Sequence, residues 1–457
     1  MAEMRFSPLA QLMLVVLSMT PPTFSQQLPN PDSHLEPLTE FQTPVLEFEF
    51  PGLKIGTAEY AEGPTGCTVF YFPDGVAAAV DVRGGAPGTV NTDTLRLGYE
   101  KPYVDAITLS GGSDYGLEVA AGVSAEILAM RDYSGFWDDI AVVPGAIIFD
   151  LQTRRFNSVY PDKRLGRIAL RSAIEGRFYQ GARGAGRFAM QGSYFGDRLY
   201  SGQGGAFRQI GPTRVAVFTV VNSVGTIVDR RGQVVRCSQQ GSEGCGSINN
   251  LLEEQLAQIA TVSNKELRQN TTISLVVTNQ KLSYWALKRL AVQVHTSMAR
   301  AIQPFHTESD GDTLFAASTG AIENPRLSER DLGVLASETA WDAVLNSVPR
   351  LEDWSRGEFI TLEAEEVAGL GGIYHFGAGT DLEVSVDDER VFVEARGDRA
   401  VYGFEPGKRV EILPTSPVDF LRKDTGSPRI QFNLDGTSHV VGMTINPGNW
   451  PVTAVRE

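Results

Sequence analysis

Residues 268–279 read RQNTTISLVVTN, and this stretch governs how the chain is organised. A polar linker, residues 229–269, leads up to Asn270, and a run rich in β-branched residues starts abruptly at Thr271. Such a run is typical of a buried β-strand. We therefore predict that Thr271 is the first residue of a strand and that Asn270 closes the linker.

The segments on both sides of this stretch alternate between strand and helix patterns. Strands are indicated by TVFYF, AAAVDV, AITLS, RVAVFTVVNSVG and LFAAST. Helices are predicted over Tyr115–Met130, Leu165–Glu175, Trp285–Ala301 and Asp331–Asn346. Interleaved strands and helices predict a layered fold of the α/β (α+β) class.

The chain changes character after about residue 350. Short strands separated by turn residues follow one another, as in GGIYHFG, LEVSVDD, RVFVEA and RIQFNL. Regularly spaced short strands are typical of a small all-β sandwich or barrel. We place the boundary between the two regions at residues 350–362.

Composition excludes some classes of function. The chain has 457 residues and a formal net charge of −15, with 42% hydrophobic and 21% charged residues. These proportions are ordinary for a globular protein. The negative charge would be repelled by a phosphate backbone, so we predict no nucleic-acid partner.

The N-terminus carries a targeting pattern. Residues 9–19, LAQLMLVVLSM, form an apolar run too short to span a bilayer, and Pro21 and Pro22 follow. We interpret residues 1–25 as a signal peptide that is removed before Gln26; the alternative is a buried N-terminal helix. No later run is long enough to span a membrane, so we predict a soluble periplasmic or secreted protein.

Cysteine usage agrees with an oxidising compartment. Cys237 and Cys245 lie in the polar loop CSQQGSEGC, which could close as a disulfide. Zinc binding is disfavoured because thiolate zinc sites usually contain CxxC pairs. Cys67, within GCTVFYF, is predicted to be a buried small hydrophobic residue.

Several common catalytic motifs are missing. Ser113 lies in GGSDYG and not in a GxSxG turn, and the glycine-rich RGGAPGT of residues 83–89 is not a phosphate-binding loop. No metal site and no cofactor are predicted. The five histidines show no ligand spacing: His34, His295, His306, His375 and His439.

The scarcity of histidine suggests a hydrolase whose base is not histidine. A Ser, Thr or Cys at a chain terminus can use its own α-amino group, whose pKa lies near 7.7–8.0, as the base. Such a nucleophile must be exposed by cutting the chain before it. The Asn270–Thr271 bond fits this requirement, although an ordinary strand start or an Asn-Thr-Thr glycosylation site would produce the same pattern.

Two further groups are candidates for the same site. Asp310 and Asp312 flank Gly311 just before an apolar strand, where they could bind an ammonium and a hydroxyl. The alternatives are a solvated turn or a fragment of a calcium loop that lacks its other ligands. Asn222 is a polar amide inside an apolar strand and could donate to an oxyanion. An edge or bulge position would explain Asn222 equally well.

Eight stretches, taken in order, resemble the L-aminopeptidase/D-esterase family, which includes β-peptidyl aminopeptidases and nylon-oligomer hydrolases. They are TGCTVFYFPDG, VDVRGGAPGTVNTD, AITLSGGSDYGLEVAAGV, VVPGAIIFDL, GAGRFAMQGSYFG, VAVFTVVNSVG, NTTISLVVTN and SDGDTLFAAST. The resemblance covers roughly residues 50–348.

The resemblance implies a fold and a mechanism. The fold would be a four-layer αββα sandwich similar to that of N-terminal nucleophile hydrolases, over residues 26–349. The chain would cleave itself at Asn270–Thr271 into an α chain, residues 26–270, and a β chain that starts at Thr271. Asn222 would be the oxyanion donor and Asp310 and Asp312 the acidic pair. Members assemble as oligomers of paired α and β chains, so a homo-oligomer of α/β heterodimers is expected.

The sequence departs from the family pattern at two candidate substrate-pocket positions. Phe149 stands where the nylon-hydrolase branch has an aromatic hydroxyl, and phenylalanine cannot donate that hydrogen bond. Ser193 falls where the family often has lysine. The substrate therefore stays open among amino-acid amides, β-peptides, D-esters and oligomers of ω-amino acids.

The tail, residues 362–457, resembles the lipocalin-like β domain of some penicillin-binding-type esterases. It would be an accessory domain that covers the active-site mouth or mediates assembly. Two other functions are considered. A histidine-based esterase would use Ser113 with His295 or His306, and an inactive secreted relative would bind a ligand and remain uncut.

Overall fold

The structure is a computed structural model that describes most of the chain after residue 34. The described residues are 35–41, 43–96, 103–151, 157–196, 199–237, 245–259, 270–348, 359–376, 380–398, 400–423, 429–446 and 452–457. The predicted signal peptide, residues 1–25, lies outside them.

In its described residues, a large layered domain has sixteen strands, several of them only two or three residues long. In chain order they are β1 Val45–Glu47, β2 Lys54–Tyr60, β3 Thr65–Val82, β4 Thr89–Val90, β5 Tyr103–Ser110, β6 Gly145–Ile147, β7 Ile174–Glu175, β8 Arg177–Tyr179, β9 Met190–Gln191, β10 Leu199–Tyr200, β11 Gly202–Ile210, β12 Thr213–Asn222, β13 Thr226–Ile227, β14 Thr271–Gln280, β15 Ile302–Gln303 and β16 Thr313–Ile322.

In the same described ranges six helices accompany these strands, and a seventh precedes the C-terminal domain. They are α1 Asp93–Arg96, α2 Glu118–Met130, α3 Lys163–Arg171, α4 Ile248–Ile259, α5 Tyr284–Ser297, α6 Glu329–Asn346 and α7 Ala364–Ala368.

The helix limits differ from the predicted ones where a cap or a turn intervenes. Helix α3 starts at Lys163 because the Asp162 side chain accepts a hydrogen bond from Leu165 N, and it stops at Arg171 because Ile174–Glu175 join the sheet as β7. Helix α6 starts two residues earlier than predicted, after the Ser328 cap. The regions before α2 and after α5 are single 3₁₀ turns, Ser113–Leu117 and Met298–Arg300.

Strand β3 connects two halves of one ten-stranded sheet. Its first part pairs with β2 and β5, and its last part, Ala77–Val82, pairs with β16. The strand register shifts between Tyr71 and Val76. Pro73 has no N–H to donate there and Gly75 adopts a φ of 67°, which glycine tolerates best. The chain can therefore pass from one half of the sheet to the other.

The two halves of the sheet face each other across an inner core. Phe70, Phe178 and Phe218 meet there, with ring centroids 4.9 Å apart for the two pairs that involve Phe218. Alternate residues of the strands point outward. On one side they pack against α5 and α6, and on the other side against α2 and α3. The order of layers is helix, sheet, sheet, helix, which confirms the predicted four-layer sandwich.

The C-terminal domain is a closed barrel of eight antiparallel strands. They are β17 Gly372–His375, β18 Asp381–Asp387, β19 Arg390–Ala395, β20 Val410–Pro414, β21 Asp419–Arg422, β22 Arg429–Leu434, β23 Val440–Asn446 and β24 Val452–Arg456. Strand β24 pairs with β17 and closes the ring. The sequence left a sandwich and a barrel open, and the structure has a barrel whose interior is filled with apolar side chains.

The structure also shows the state of the cysteines and the character of the helices. Cys237 and Cys245 are joined by a disulfide, and Cys67 is a buried free thiol. Within the described residues, none of the helices has the length and apolar character needed to cross a bilayer.

Candidate active site

The sheet topology brings the predicted site residues together. Strands β14 and β16 are parallel neighbours, so Thr271 and the Asp310–Asp312 turn lie at the same edge of the sheet. Strand β12 runs antiparallel on the other side of β14, and its last residue, Asn222, pairs directly with Thr271. Three segments that are distant in sequence therefore converge where β14 begins.

The peptide bond before Thr271 lies inside this convergence. The Thr271 hydroxyl donates a hydrogen bond to the carbonyl oxygen of Asn270 at 2.5 Å. The same oxygen accepts the main-chain N–H of Gly311 at 2.8 Å. Thr271 is only 3% exposed. The Asn270 carbonyl is thus polarised by a main-chain donor while the hydroxyl of the next residue lies beside it.

Gly311 is required at its position by space. A Cβ atom there would lie 2.6 Å from the Thr271 hydroxyl oxygen and 2.6 Å from the Ala86 carbonyl oxygen. Any side chain would displace the hydroxyl or the neighbouring loop. The glycine between the two aspartates therefore serves the close approach of the main chain to Thr271.

Asn222 is held by both ends of its amide. Its Oδ1 accepts the main-chain N–H of Met190 at 3.0 Å, and its Nδ2 donates to the carbonyl oxygen of Phe149 at 3.0 Å. The side chain is nearly fully buried, as a hydrogen-bonded amide can be. These contacts fix which end of the amide is the donor.

Asp310 and Asp312 are both fully buried. Asp310 accepts hydrogen bonds from Val224 N, from Thr307 N and from the Thr307 hydroxyl. Burial, together with the nearby charge of Asp312, raises the pKa of Asp310 to about 6.

Asp312 is tied to the strand that carries Thr271. Its Oδ1 accepts Thr272 N at 2.8 Å, and its Oδ2 accepts the main-chain N–H of His306 at 3.1 Å. The His306 Nδ1 lies 2.9 Å from the same Oδ2. This places an acidic side chain one residue away from the nitrogen that cleavage before Thr271 would free.

The glycine-rich loop of residues 83–89 supports the acidic turn. Arg83 N donates to the Asp312 carbonyl at 3.0 Å, and Ala86 N donates to the Asp310 carbonyl at 2.8 Å. A Cβ at Gly84 would lie 2.2 Å from the Asp310 carbonyl oxygen. The RGGAPGT motif is therefore explained by close packing of two loops.

The two candidate pocket residues also lie at the site. Ser193 accepts a hydrogen bond from the side-chain amide of Asn270 at 2.9 Å. Phe149 contributes its carbonyl oxygen, through which it orients Asn222. The Cys237–Cys245 disulfide instead borders a small apolar cluster around Val228, Val234 and Ile248.

The structure gives the histidine-based alternative no local support. His295 Nδ1 contacts Asp81 and His306 Nδ1 contacts Asp312, at 3.0 and 2.9 Å. Burial lowers the pKa of His295. Within the described part of the chain, no hydrogen bond joins Ser113 to a histidine.

Sequence reasoning missed three contributors to the site. The Gly311 N–H is a main-chain donor, and the type of a residue does not indicate where its main-chain N–H will point. His306 reaches Asp312 because its main chain adopts a φ of 61°, unusual for a residue other than glycine. Met190 acts through its main chain as well. Only the proximity of His306 to the Asp-Gly-Asp turn in sequence offered a signal.

Comparison with known proteins identifies the family of the chain. The model of peptidase family S58 matches residues 49–354. The 6-aminohexanoate-oligomer endohydrolase of Agromyces sp. (strain KY5R) is 44% identical over 324 residues, which cover 68% of this chain and 88% of that protein. An uncharacterized aminopeptidase of Mycobacterium leprae (strain TN) is 36% identical over 266 residues, covering 56% of this chain and 72% of that protein.

A solved β-aminopeptidase from Burkholderia sp. is 18% identical, with a TM-score of 0.48, and covers 65% of this chain and 84% of that one. The chain belongs to peptidase family S58, and it is a hydrolase of peptide or amide bonds. This confirms the family and the class of activity expected from the sequence motifs. The family match stops at residue 354, so the barrel lies beyond it.

Proposed function

We propose that the chain is the precursor of a self-processing amidohydrolase whose nucleophile is Thr271. The observation that carries the proposal is the position of the Thr271 hydroxyl, 2.5 Å from the Asn270 carbonyl oxygen that also accepts Gly311 N–H. The hydroxyl is thereby next to the carbonyl carbon that it would attack. A buried threonine that merely started a strand would not need a polarised carbonyl before it.

Self-cleavage would proceed through an ester. The Thr271 oxygen bonds to the Asn270 carbonyl carbon, the carbon–nitrogen bond breaks, and the hydroxyl proton ends on the freed amine. Water then hydrolyses the ester, leaving a carboxylate on Asn270 and restoring the hydroxyl. The Gly311 N–H supports the oxygen that becomes negative during the attack.

Substrate hydrolysis would repeat this chemistry with the new amine as base. The α-amino group of Thr271 takes the proton from its own hydroxyl, whose oxygen attacks the substrate carbonyl. Asn222 Nδ2 donates to the oxyanion, and the acidic pair holds the amine and the hydroxyl in line. The leaving amine takes the proton, and water releases the acyl group.

Short amides of amino acids are the substrates we propose. The relatives include a 6-aminohexanoate-oligomer endohydrolase and an aminopeptidase, so both types of amide belong in the first assay. Ser193 contacts the residue on the acyl side of the scissile bond, and it is the position that would influence the choice between them.

Mass measurement and N-terminal sequencing of the purified protein test the proposal. Two chains are expected, one starting at Gln26 after export and one starting at Thr271. The Thr271→Ala protein should remain whole apart from removal of the signal peptide. An uncut native chain would refute self-processing and would favour the inactive, ligand-binding alternative.

Two other expectations remain proposals of the same kind. Export to the periplasm or medium is tested by the N-terminus at Gln26 in that experiment. Assembly into an oligomer of α/β heterodimers is tested by light scattering of the mature protein, where a mass equal to one chain pair would contradict it.

A further inference from the structure

A short segment lies between the barrel and the site. This bridging segment, residues 187–193, contains only a two-residue strand, β9, and a 3₁₀ turn that starts at Ser193. Strand β9 pairs with another two-residue strand, β10. Main-chain hydrogen bonds tie the segment to neighbouring loops, among them Ala189 N to the Gly186 carbonyl and Gly192 N to the Gly225 carbonyl. Its two faces contact different parts of the molecule.

One face of the bridging segment belongs to the barrel. Phe188 is 3% exposed and forms part of the same continuous cluster of buried side chains as the barrel core. The Met190 side chain packs against that cluster, as does Tyr200, whose ring lies edge-on to Phe188 at 5.3 Å. The barrel therefore supplies the apolar surface that buries Phe188 and covers part of Met190.

The other face of the segment belongs to the site. Met190 N donates to Asn222 Oδ1 at 3.0 Å, and three residues later Ser193 accepts the Asn270 side chain at 2.9 Å. Because Met190 N occupies the oxygen end of the amide, the nitrogen end must point toward Phe149 and the start of β14. A flipped amide would direct its NH₂ at another donor and its oxygen at the Phe149 carbonyl.

We infer that Phe188 and Met190 are positioning residues through which the barrel orients the Asn222 amide. The inference rests on the proposed function, in which Asn222 donates to the oxyanion. Met190 by itself connects the barrel to Asn222, because its side chain packs against the barrel cluster and its N–H fixes the orientation of the Asn222 amide. The barrel, which lies beyond the family match, is thus coupled to the chemistry at Thr271.

The first test substitutes the packing side chains in the full-length protein. Met190→Ala and Phe188→Leu should slow conversion of the newly made precursor and lower kcat of the matured fraction, by tenfold to about a hundredfold, with little change in KM. Met443→Ala is the matched control. It removes the same side chain from the same apolar cluster, but from barrel strand β23, and should leave both rates within about twofold. Equal losses for Met190→Ala and Met443→Ala would overturn the inference, because general loosening of the barrel would then explain both.

A double-mutant cycle separates positioning from simple stabilisation. If Met190 acts through Asn222, the Met190→Ala/Asn222→Ala precursor should convert no more slowly than Asn222→Ala alone. Losses that multiply would overturn the inference.

The cycle also separates this inference from the proposed function. A fully active Asn222→Ala protein would remove Asn222 from the mechanism. A slow Asn222→Ala protein beside a fully active Met190→Ala protein would refute only the role of the barrel.

Discussion

Among the buried carboxylates of the large domain, two groups have opposite surroundings. Glu59 lies 3.0 Å from the Arg187 guanidinium and 3.7 Å from that of Arg183, and its Oε1 accepts Gly184 N–H. Asp310 and Asp312 lie beside each other instead, and within the described residues neither forms an ion pair with lysine or arginine. The first group is compensated by arginine, and the second, in which Asp312 contacts the His306 imidazole, is not.

The difference matches a structural role for the first group and the proposed catalytic role for the second. Burial raises the pKa of Glu59, while the two arginines and Gly184 N–H oppose the rise and favour the charged form. Among the described residues no arginine or lysine does this for Asp310, whose pKa is raised to about 6. Like charges kept together in a buried place cost stability, and such arrangements are concentrated at functional sites.

The largest effect should follow from breaking the compensated group. Glu59→Gln keeps the shape of the side chain but removes the carboxylate charge that faces the buried guanidinium groups of Arg187 and Arg183. We expect the free energy of unfolding to fall by about 3–5 kcal/mol, measured by urea denaturation of the uncleaved Thr271→Ala precursor. A loss below about 1 kcal/mol would show that the arginines find another partner or water.

Asn222→Ala should act on the rate of reaction. Removing one oxyanion donor lowers turnover by about 10²–10³, and self-cleavage by a similar factor if Asn222 also serves that step. The measurement is a time course of precursor conversion together with kcat of the matured protein. Near-normal rates would mean that Gly311 N–H is sufficient and that Asn222 is structural.

The uncompensated pair predicts a dependence of stability on pH. The usual pKa of Asp310, 3.8, rises to about 6 in the native protein, so the native state binds the proton more tightly than the unfolded chain. Stability contributed by this group is therefore present below pH 4 and is lost as pH rises through 6, by about 1.4 kcal/mol per pKa unit. As the pH rises from 4 to 7, the free energy of unfolding of Thr271→Ala should fall relative to that of Thr271→Ala/Asp310→Asn. A constant difference across that range would contradict it.

The smallest effect is expected from a carboxylate at the surface. Glu338 pairs with Arg300 at 2.8 Å and with Arg230 at 3.4 Å, and its side chain is 33% exposed. Solvent screens such pairs, so Glu338→Gln should cost less than about 1 kcal/mol in the same urea experiment. A loss as large as that of Glu59→Gln would mean that burial does not determine how much these ion pairs contribute to the free energy of unfolding.

The local sequence pattern predicted those elements of the fold that depend on residues close together in the sequence. The β-branched run after Thr271 is a buried strand, and helix α2 ends at Met130 as its apolar spacing indicates. The limits of α3 were wrong because the Asp162 cap and the pairing of Ile174 with β2 override the helical pattern.

The site was partly predictable for the same reason. Asn222, Thr271 and the acidic pair carry recognisable side chains at the ends of predicted strands. The donors at Gly311 and Met190 are main-chain groups, and the partnership of Glu59 with Arg187 spans more than a hundred residues. Such features depend on tertiary contacts and leave no periodic trace in the sequence.

Acylation of the mature protein would identify the residue that attacks the substrate. The protein is mixed with a p-nitrophenyl ester of an amino acid, quenched in acid after the first burst of nitrophenol, digested, and analysed by mass spectrometry. If Thr271 is the nucleophile, the added acyl mass is expected on the peptide that begins at Thr271, and no adduct is expected in Thr271→Ala. An adduct on the peptide that contains Ser113, or a burst that persists in Thr271→Ala, would contradict it.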